Sequence, residues 1–203
     1  MSPEFTAIVM AGGRGTRMGG PEEKPLVRVA GVGMLERVVA AIRESTRVSR
    51  ILVACSPHTP KTEKRVRAMR LRTVQTSGRG YVEDAREASA QARTASVVVI
   101  SADLPLISGR LIDAAAERYL RAGKPALTTV AKPVDGGDPA PVGLNVFDRD
   151  ALLSGKQLRE ETFVVDSASL LVNVNTREEV ERAERIVSRE RAKRRGRLLS
   201  PPG

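Results

Sequence analysis

A chain of 203 residues, 41% hydrophobic and 29% charged, suits one soluble domain with enough length to bury a core. Aromatic residues make up only 2%, so that core must rest on Val, Leu, Ile and Ala, and the single Cys55 excludes an internal disulfide and any multi-cysteine metal site. Half of the net charge of +10 sits near the end of the chain, where Arg189, Arg191, Lys193, Arg194, Arg195 and Arg197 stand against Glu190 alone, and the rest is spread out.

Residues 6–10 form a short apolar run that reads as a buried strand. Five glycines then fall between Gly12 and Gly20, with Arg14, Arg17 and Lys24 among and after them. Residues 34–44 carry Met34, Leu35, Val38, Val39 and Ile42 at helical spacing, and residues 50–55 read as a second strand. Pro57 and Pro60 make residues 56–62 a turn, a short basic helix is expected from residue 61 to 69, and residues 71–76 form a weaker strand. A second glycine turn, Ser77 to Gly80, leads into a helix over residues 81–93.

Residues 96–101 are apolar throughout, as a buried parallel strand is. The helix after it closes at Gly123, and further strands are expected at residues 124–131, 142–147, 162–165 and 170–174, with a small helix at 148–153. Thr176 and Glu179 fit a capping box that opens the last helix. Strands and helices alternating at this pitch imply an α/β sheet with parallel strands and right-handed crossovers. No repeat or linker divides the chain, so one domain spans residues 1–187, followed by a basic helix end and tail at 188–203.

The first glycine segment carries the chemistry. Glycines let a backbone approach a ligand closely, and successive N–H groups in such a loop converge on phosphate oxygens. Ala11, Gly12, Gly13, Gly15 and Thr16 would cradle a triphosphate, and Arg14, Arg17 and Lys24 add charge-assisted donors. A Walker A loop is excluded because no Gly-Lys-Ser/Thr follows at the required spacing, and the dinucleotide fingerprint fails because position 18 is Met18. Asp103 ends the central strand, at the edge where ligands of open α/β sheets bind. It suits Mg²⁺, which takes one or two carboxylates plus phosphate oxygens, or it caps the helix that follows. Asp166 also ends an apolar strand, where it reads as a turn residue before Ser167. His58, in a proline turn, reads as exposed rather than catalytic, and Cys55 as a small core residue.

Gly13-Arg14-Gly15-Thr16-Arg17-Met18-Gly19 followed by Glu23-Lys24-Pro25-Leu26 resembles the first motif of the nucleotidyltransferases, which include sugar-phosphate, molybdopterin and cobinamide-phosphate members. The segments at 56–62 and 76–84 narrow the likeness to the archaeal GTP:adenosylcobinamide-phosphate guanylyltransferases, over about residues 6–187. This resemblance implies a single-domain, Rossmann-like nucleotidyltransferase fold with a mostly parallel, mixed central sheet flanked by helices. It implies GTP and adenosylcobinamide phosphate as substrates, Mg²⁺ as cofactor, and adenosylcobinamide-GDP and pyrophosphate as products of a step in cobalamin biosynthesis.

Carried over residue by residue, the resemblance puts the metal on Asp103, with Asp166 as a second acidic ligand, and the guanine and ribose beside Ser77, Gly78 and Gly80. Arg14 and Arg17 would neutralise the leaving pyrophosphate, and Lys24 the α-phosphate. Asn173 and Asn175, in Asn-Val-Asn-Thr, resemble a closing motif that holds loop backbone or contacts phosphate. The stretch from Val142 to Asn145 and the loop before it are expected to offer an apolar wall to the corrin. A molybdopterin or sugar-phosphate transferase is the alternative within the class, and a nucleic-acid-binding protein on a degenerate transferase fold is the alternative outside it. Nucleic acid is not favoured, because the cradle cations and Asp103 are all retained. No apolar run approaches the ~20 residues of a membrane span, the expected location is cytoplasmic, and a homodimer is allowed.

Overall fold

The computed structural model describes residues 5–16, 18–19, 22–132, 138–165 and 173–198. In chain order these form β1 (Phe5–Met10), a 3-10 turn at Lys24–Leu26, a hairpin of β2 (Arg28–Val29) and β3 (Val32–Gly33), α1 (Met34–Glu44), β4 (Val48–Cys55) and α2 (Pro60–Ala68). There follow β5 (Arg72–Gln75), α3 (Tyr81–Ser89), β6 (Ser96–Ser101), α4 (Gly109–Ala122), β7 (Ala126–Ala131), β8 (Ala140–Asp148), α5 (Arg149–Leu153), β9 (Glu160–Val165) and α6 (Arg177–Leu198).

Strand β1 occupies the middle of the sheet because both of its faces are apolar. Phe5, Ala7 and Val9 face one side and Ile8 the other, and all four are fully buried. β1 pairs in parallel with β4 and β6, and β5 extends the sheet beyond β4. Beyond β6 the order continues β8, β7, β9, with β8 antiparallel to both neighbours. Among the described residues β8 is the one reversed strand of seven, so the sheet is mostly parallel and mixed. Leu35, Val38 and Ile42 of α1 and Ile112 and Ala115 of α4 cover one face. Ala85 and Ala88 of α3, with Leu152 of α5, cover the other, where the alanines bring the helix close to the strands. Each of the larger buried side chains is worth roughly 1.5–3 kcal/mol relative to exposure.

Ser108 is the N-cap of α4, its hydroxyl accepting from the Leu111 N–H at 3.3 Å, and Gly123 closes the helix in the left-handed region. A capping role for Asp103 is thereby removed. The capping box of α6 is formed as its spacing predicts: Glu179 Oε2 accepts from the Thr176 N–H at 2.9 Å, and Thr176 Oγ1 accepts from the Glu179 N–H at 3.3 Å. Ala183 and Val187 seat α6 on Val29 and Met34, and the Glu184 carboxylate accepts from the Ala30 N–H at 2.8 Å. The helix continues to Leu198, so the basic stretch is helical. Asn173 and Val174 are not in a strand, and the rest of the strand predicted at 170–174 lies outside the described residues.

Candidate active site

The loops that follow the parallel strands β1, β4, β5 and β6 leave the sheet along one edge. The Ala11 N–H still donates to the Ala54 carbonyl at 2.9 Å, and the Ala102 N–H to the Met10 carbonyl at 3.1 Å. Side by side, these loops enclose a cleft of about 330 Å³ between Gly12–Arg14, His58, Gly78–Tyr81 and Asp103. A second recess of about 210 Å³ lies across Arg14 and Lys24, lined by Gly15, Thr16, Met18 and Asn175. Gly13, Arg14 and Lys24 line both cavities.

Lys24 stands where the two cavities meet. Its ammonium lies 2.5 Å from Asp103 Oδ2 and donates to Asn175 Oδ1 at 2.8 Å. Two local features bring this about. Gly15 adopts φ +61°, and a Cβ there would lie 2.9 Å from Lys24 Cβ, so only glycine lets the loop pass over the lysine stem. The Asp103 carbonyl accepts from the Val174 N–H at 3.0 Å, which pins the segment before α6 to the end of β6 and delivers Asn175 to the lysine. Asn175 Nδ2 in turn donates to the Asn173 carbonyl at 3.3 Å.

Asp103 Oδ1 is buried and has no hydrogen-bond partner among the described residues. A carboxylate with one oxygen committed and one free fits an ion that takes its other ligands from substrate and water, as Mg²⁺ does. No group of three or more His, Cys, Asp or Glu residues that could cage a metal occurs among the described residues.

The second glycine turn faces the same cleft. Gly78 and Gly80 line it, and the Gly78 N–H donates to Asp84 Oδ1 at 2.9 Å. Ser77 sits just outside, its N–H given to Glu87 at 2.6 Å. Arg17 and Asp166 lie outside the described residues. Asn145 is drawn to the site by Tyr81, its amide donating to the phenol oxygen at 3.2 Å. Tyr81 is 40% exposed as a residue, yet its hydroxyl end is desolvated. That burial pushes the phenol up to about 12, with Asp103 adding to the rise and the Asn145 hydrogen bond opposing it, so the hydroxyl stays protonated.

Val142 to Asn145 do not form the expected apolar wall, and residues 133–137 of the loop before them lie outside the described residues. Val142 and Leu144 point inward and are buried in the main core, because alternation along β8 gives that face to α4. Apolar surface lies instead in a cavity of about 300 Å³ beside Tyr81, lined by Val82, Ala85, Phe147 and Leu158. Ser56, His58, Tyr81 and Asp84 all belong to the site and were not singled out for it in the sequence. They lie in the segments 56–62 and 76–84, which carried the family likeness as stretches but did not show which of their side chains reach the site. Cys55 is fully buried, and burial, with Glu63 and Glu23 nearby, pushes its thiol up to about 12, which makes it an inert core residue.

The MobA-like NTP transferase domain family matches residues 7–182. The chain belongs to this family. Its sequence is 30% identical over 201 residues to the adenosylcobinamide-phosphate guanylyltransferase of Methanocaldococcus jannaschii, covering 91% of this chain and 98% of that one. It is 32% identical over 189 residues to the 2-C-methyl-D-erythritol 4-phosphate cytidylyltransferase of Frankia casuarinae, covering 84% of this chain and 70% of that one. Its fold matches the structure of CMP:2-keto-3-deoxy-manno-octonic acid synthetase complexed with CTP at a TM-score of 0.74 and 16% identity, over 92% of this chain and 99% of that one.

As a member of this family the chain is a nucleotidyltransferase, and the likeness read from its glycine and Lys-Pro motifs is borne out. No described helix is long and apolar enough to cross a membrane.

Proposed function

We propose that this nucleotidyltransferase moves GMP from GTP to adenosylcobinamide phosphate, releasing pyrophosphate. The observation that carries the reaction type is the contact of Lys24 with both Asp103 and Asn175 at the meeting of two glycine-lined cavities. The guanine and the acceptor are supported by the likeness to the Methanocaldococcus guanylyltransferase over nearly the whole of both chains.

An oxygen of the acceptor phosphate attacks the α-phosphorus, the α–β bridging bond breaks, and its electron pair leaves on pyrophosphate. The acceptor is already ionised, so the protein needs no strong base and contributes positioning and charge. The N–H groups of residues 12–16 hold the triphosphate, Arg14 and Arg17 neutralise the leaving pyrophosphate, and Lys24 meets the charge that grows on the α-phosphate. Asp103 would hold Mg²⁺, which would supply positive charge to neutralise the phosphates. Gly78 and Gly80 border the guanosine, and the cavity of Val82, Ala85, Phe147 and Leu158 receives the apolar face of the acceptor.

The test is pyrophosphate release from GTP, CTP or UTP, each with and without adenosylcobinamide phosphate. Release that needs both GTP and the corrinoid is the expected result. Release from CTP with a sugar or polyol phosphate instead would replace both substrates while keeping the reaction type.

A further inference from the structure

We propose that His58 is a positioning residue that aims Arg14 at the triphosphate, and that it does so as the neutral imidazole. The proposal rests on the reading of residues 11–16 as the triphosphate site. His58 is the single histidine of the chain, and it is fixed from three sides. Its backbone N–H donates to Ser56 Oγ at 3.1 Å, and Ser56 Oγ donates to the Gly12 carbonyl at 2.6 Å, which fastens the turn after β4 to the cradle. Its ring lies against Gly78, where a Cβ would come within 3.1 Å of His58 Cδ2 and 3.2 Å of Ser56 Cβ. Its Nε2 accepts from Arg14 Nε at 3.1 Å. The turn thus joins the two glycine loops and hands its one acceptor to the cradle arginine.

The choice of acceptor is what matters chemically. A guanidinium has five N–H donors in a fixed fork. With Nε committed to His58, the two terminal nitrogens remain for bidentate contact with phosphate oxygens. A carboxylate in that place would orient Arg14 equally well but would cancel its charge and compete with the triphosphate. Among the described residues Arg14 has no carboxylate partner in hydrogen-bond or ion-pair range, so a neutral ring orients it and leaves its charge for the ligand.

Protonation removes the arrangement. An imidazolium has no acceptor nitrogen and sets a second cation against Arg14. The other charged groups around the cleft are Lys24, Arg79, Asp84 and Asp103. Asp84 is engaged by the Gly78 N–H and Asp103 by Lys24. Glu23, just before the 3-10 turn, accepts from the N–H groups of Lys61 at 2.8 Å and Thr62 at 2.6 Å in the first turn of α2.

The experiment measures GTP binding, KM for GTP and kcat from about pH 5.5 to about pH 8.5. It uses the full chain and its His58→Ala, His58→Gln, Arg14→Ala and Arg14→Ala/His58→Ala variants. His58→Ala is expected to raise KM for GTP about tenfold with a smaller effect on kcat, and to add nothing to Arg14→Ala. His58→Gln, whose amide oxygen accepts at every pH, should recover most of the loss and lack the rise of KM on the acid side that is expected of the natural chain. Additive losses overturn the proposal, as does an unchanged acid-side rise in His58→Gln, and the glutamine variant decides even where the alanine variant folds poorly. A natural chain that binds no nucleoside triphosphate overturns the cradle reading and this proposal together, whereas GTP binding with additive losses overturns this proposal alone.

Discussion

Replacing Lys24 with Met keeps the apolar stem under Gly15 and removes the ammonium that Asp103 and Asn175 share. The cost can be bracketed from exposure. Fully exposed ion pairs are worth about 0.2–1 kcal/mol, and breaking a fully buried one costs about 3–5 kcal/mol. The Lys24 and Asp103 side chains are 16% and 18% exposed, which lies nearer the buried limit but leaves water within reach. Asp103 Oδ1 already lacks a partner among the described residues, so the variant leaves both carboxylate oxygens without one. About 2 kcal/mol is therefore expected, or roughly 4–8 °C in Tm for a domain of this size.

Asp103→Asn added to Lys24→Met should restore most of the lost stability, because it removes the uncompensated charge. In turnover Lys24→Met should lower kcat about 10²- to 10³-fold with little change in KM for GTP. Thermal melting and steady-state pyrophosphate release check the two halves separately. An unchanged melting point would refute the electrostatic account, and a raised KM at constant kcat would make Lys24 a ground-state binder only.

Asp103→Asn alone should abolish Mg²⁺-dependent turnover while leaving the circular dichroism spectrum intact, and a chelator should silence the natural chain in the same assay; undiminished activity in the variant would take Asp103 out of the metal site. Gly109→Ala tests the contact of α1 with α4: a helical Gly→Ala change ordinarily gains up to about 1 kcal/mol, but here the new Cβ would lie 2.8 Å from the Glu44 carbonyl carbon. Overpacking should win by about 1–3 kcal/mol, read as a lower denaturant midpoint with KM for GTP unaltered. Burial raises the Asp113 carboxyl, but hydrogen bonds from Ser45, Thr46 and Arg47 outweigh it and hold the group below its usual value. Its stabilisation is thus present above the unfolded value of about 3.9 and lost as pH falls through the lower folded value. Asp113→Asn should melt earlier at neutral pH and show less further loss on acidification, and parallel acid limbs for variant and natural chain would contradict this.

What could be read from the residues in order was whatever depends on neighbours a few positions apart. The apolar runs of β1, β4 and β6, the helical spacing of α1, the Gly123 stop and the Thr176–Glu179 box are local signals, and each stands in the structure. The hairpin of β2 and β3 escaped notice because two residues a strand carry no periodicity. The glycine-rich cradle and Asp103 were legible as chemistry because few other tasks call for those residues at strand ends.

Tertiary structure decided the rest. Lys24 meets Asp103 across 79 positions and Asn175 across 151, and no spacing rule reaches that far. The reversed insertion of β8 between β6 and β7 turned Val142 and Leu144 into the core and moved the exposed apolar surface to Phe147 and Val82. A strand's pattern says that one face is buried, and only its neighbours say which side that face meets. His58 shows the same limit: the sequence offered an exposed histidine in a proline turn, and its bond to Arg14 exists because adjacent parallel strands deliver their following loops to one edge.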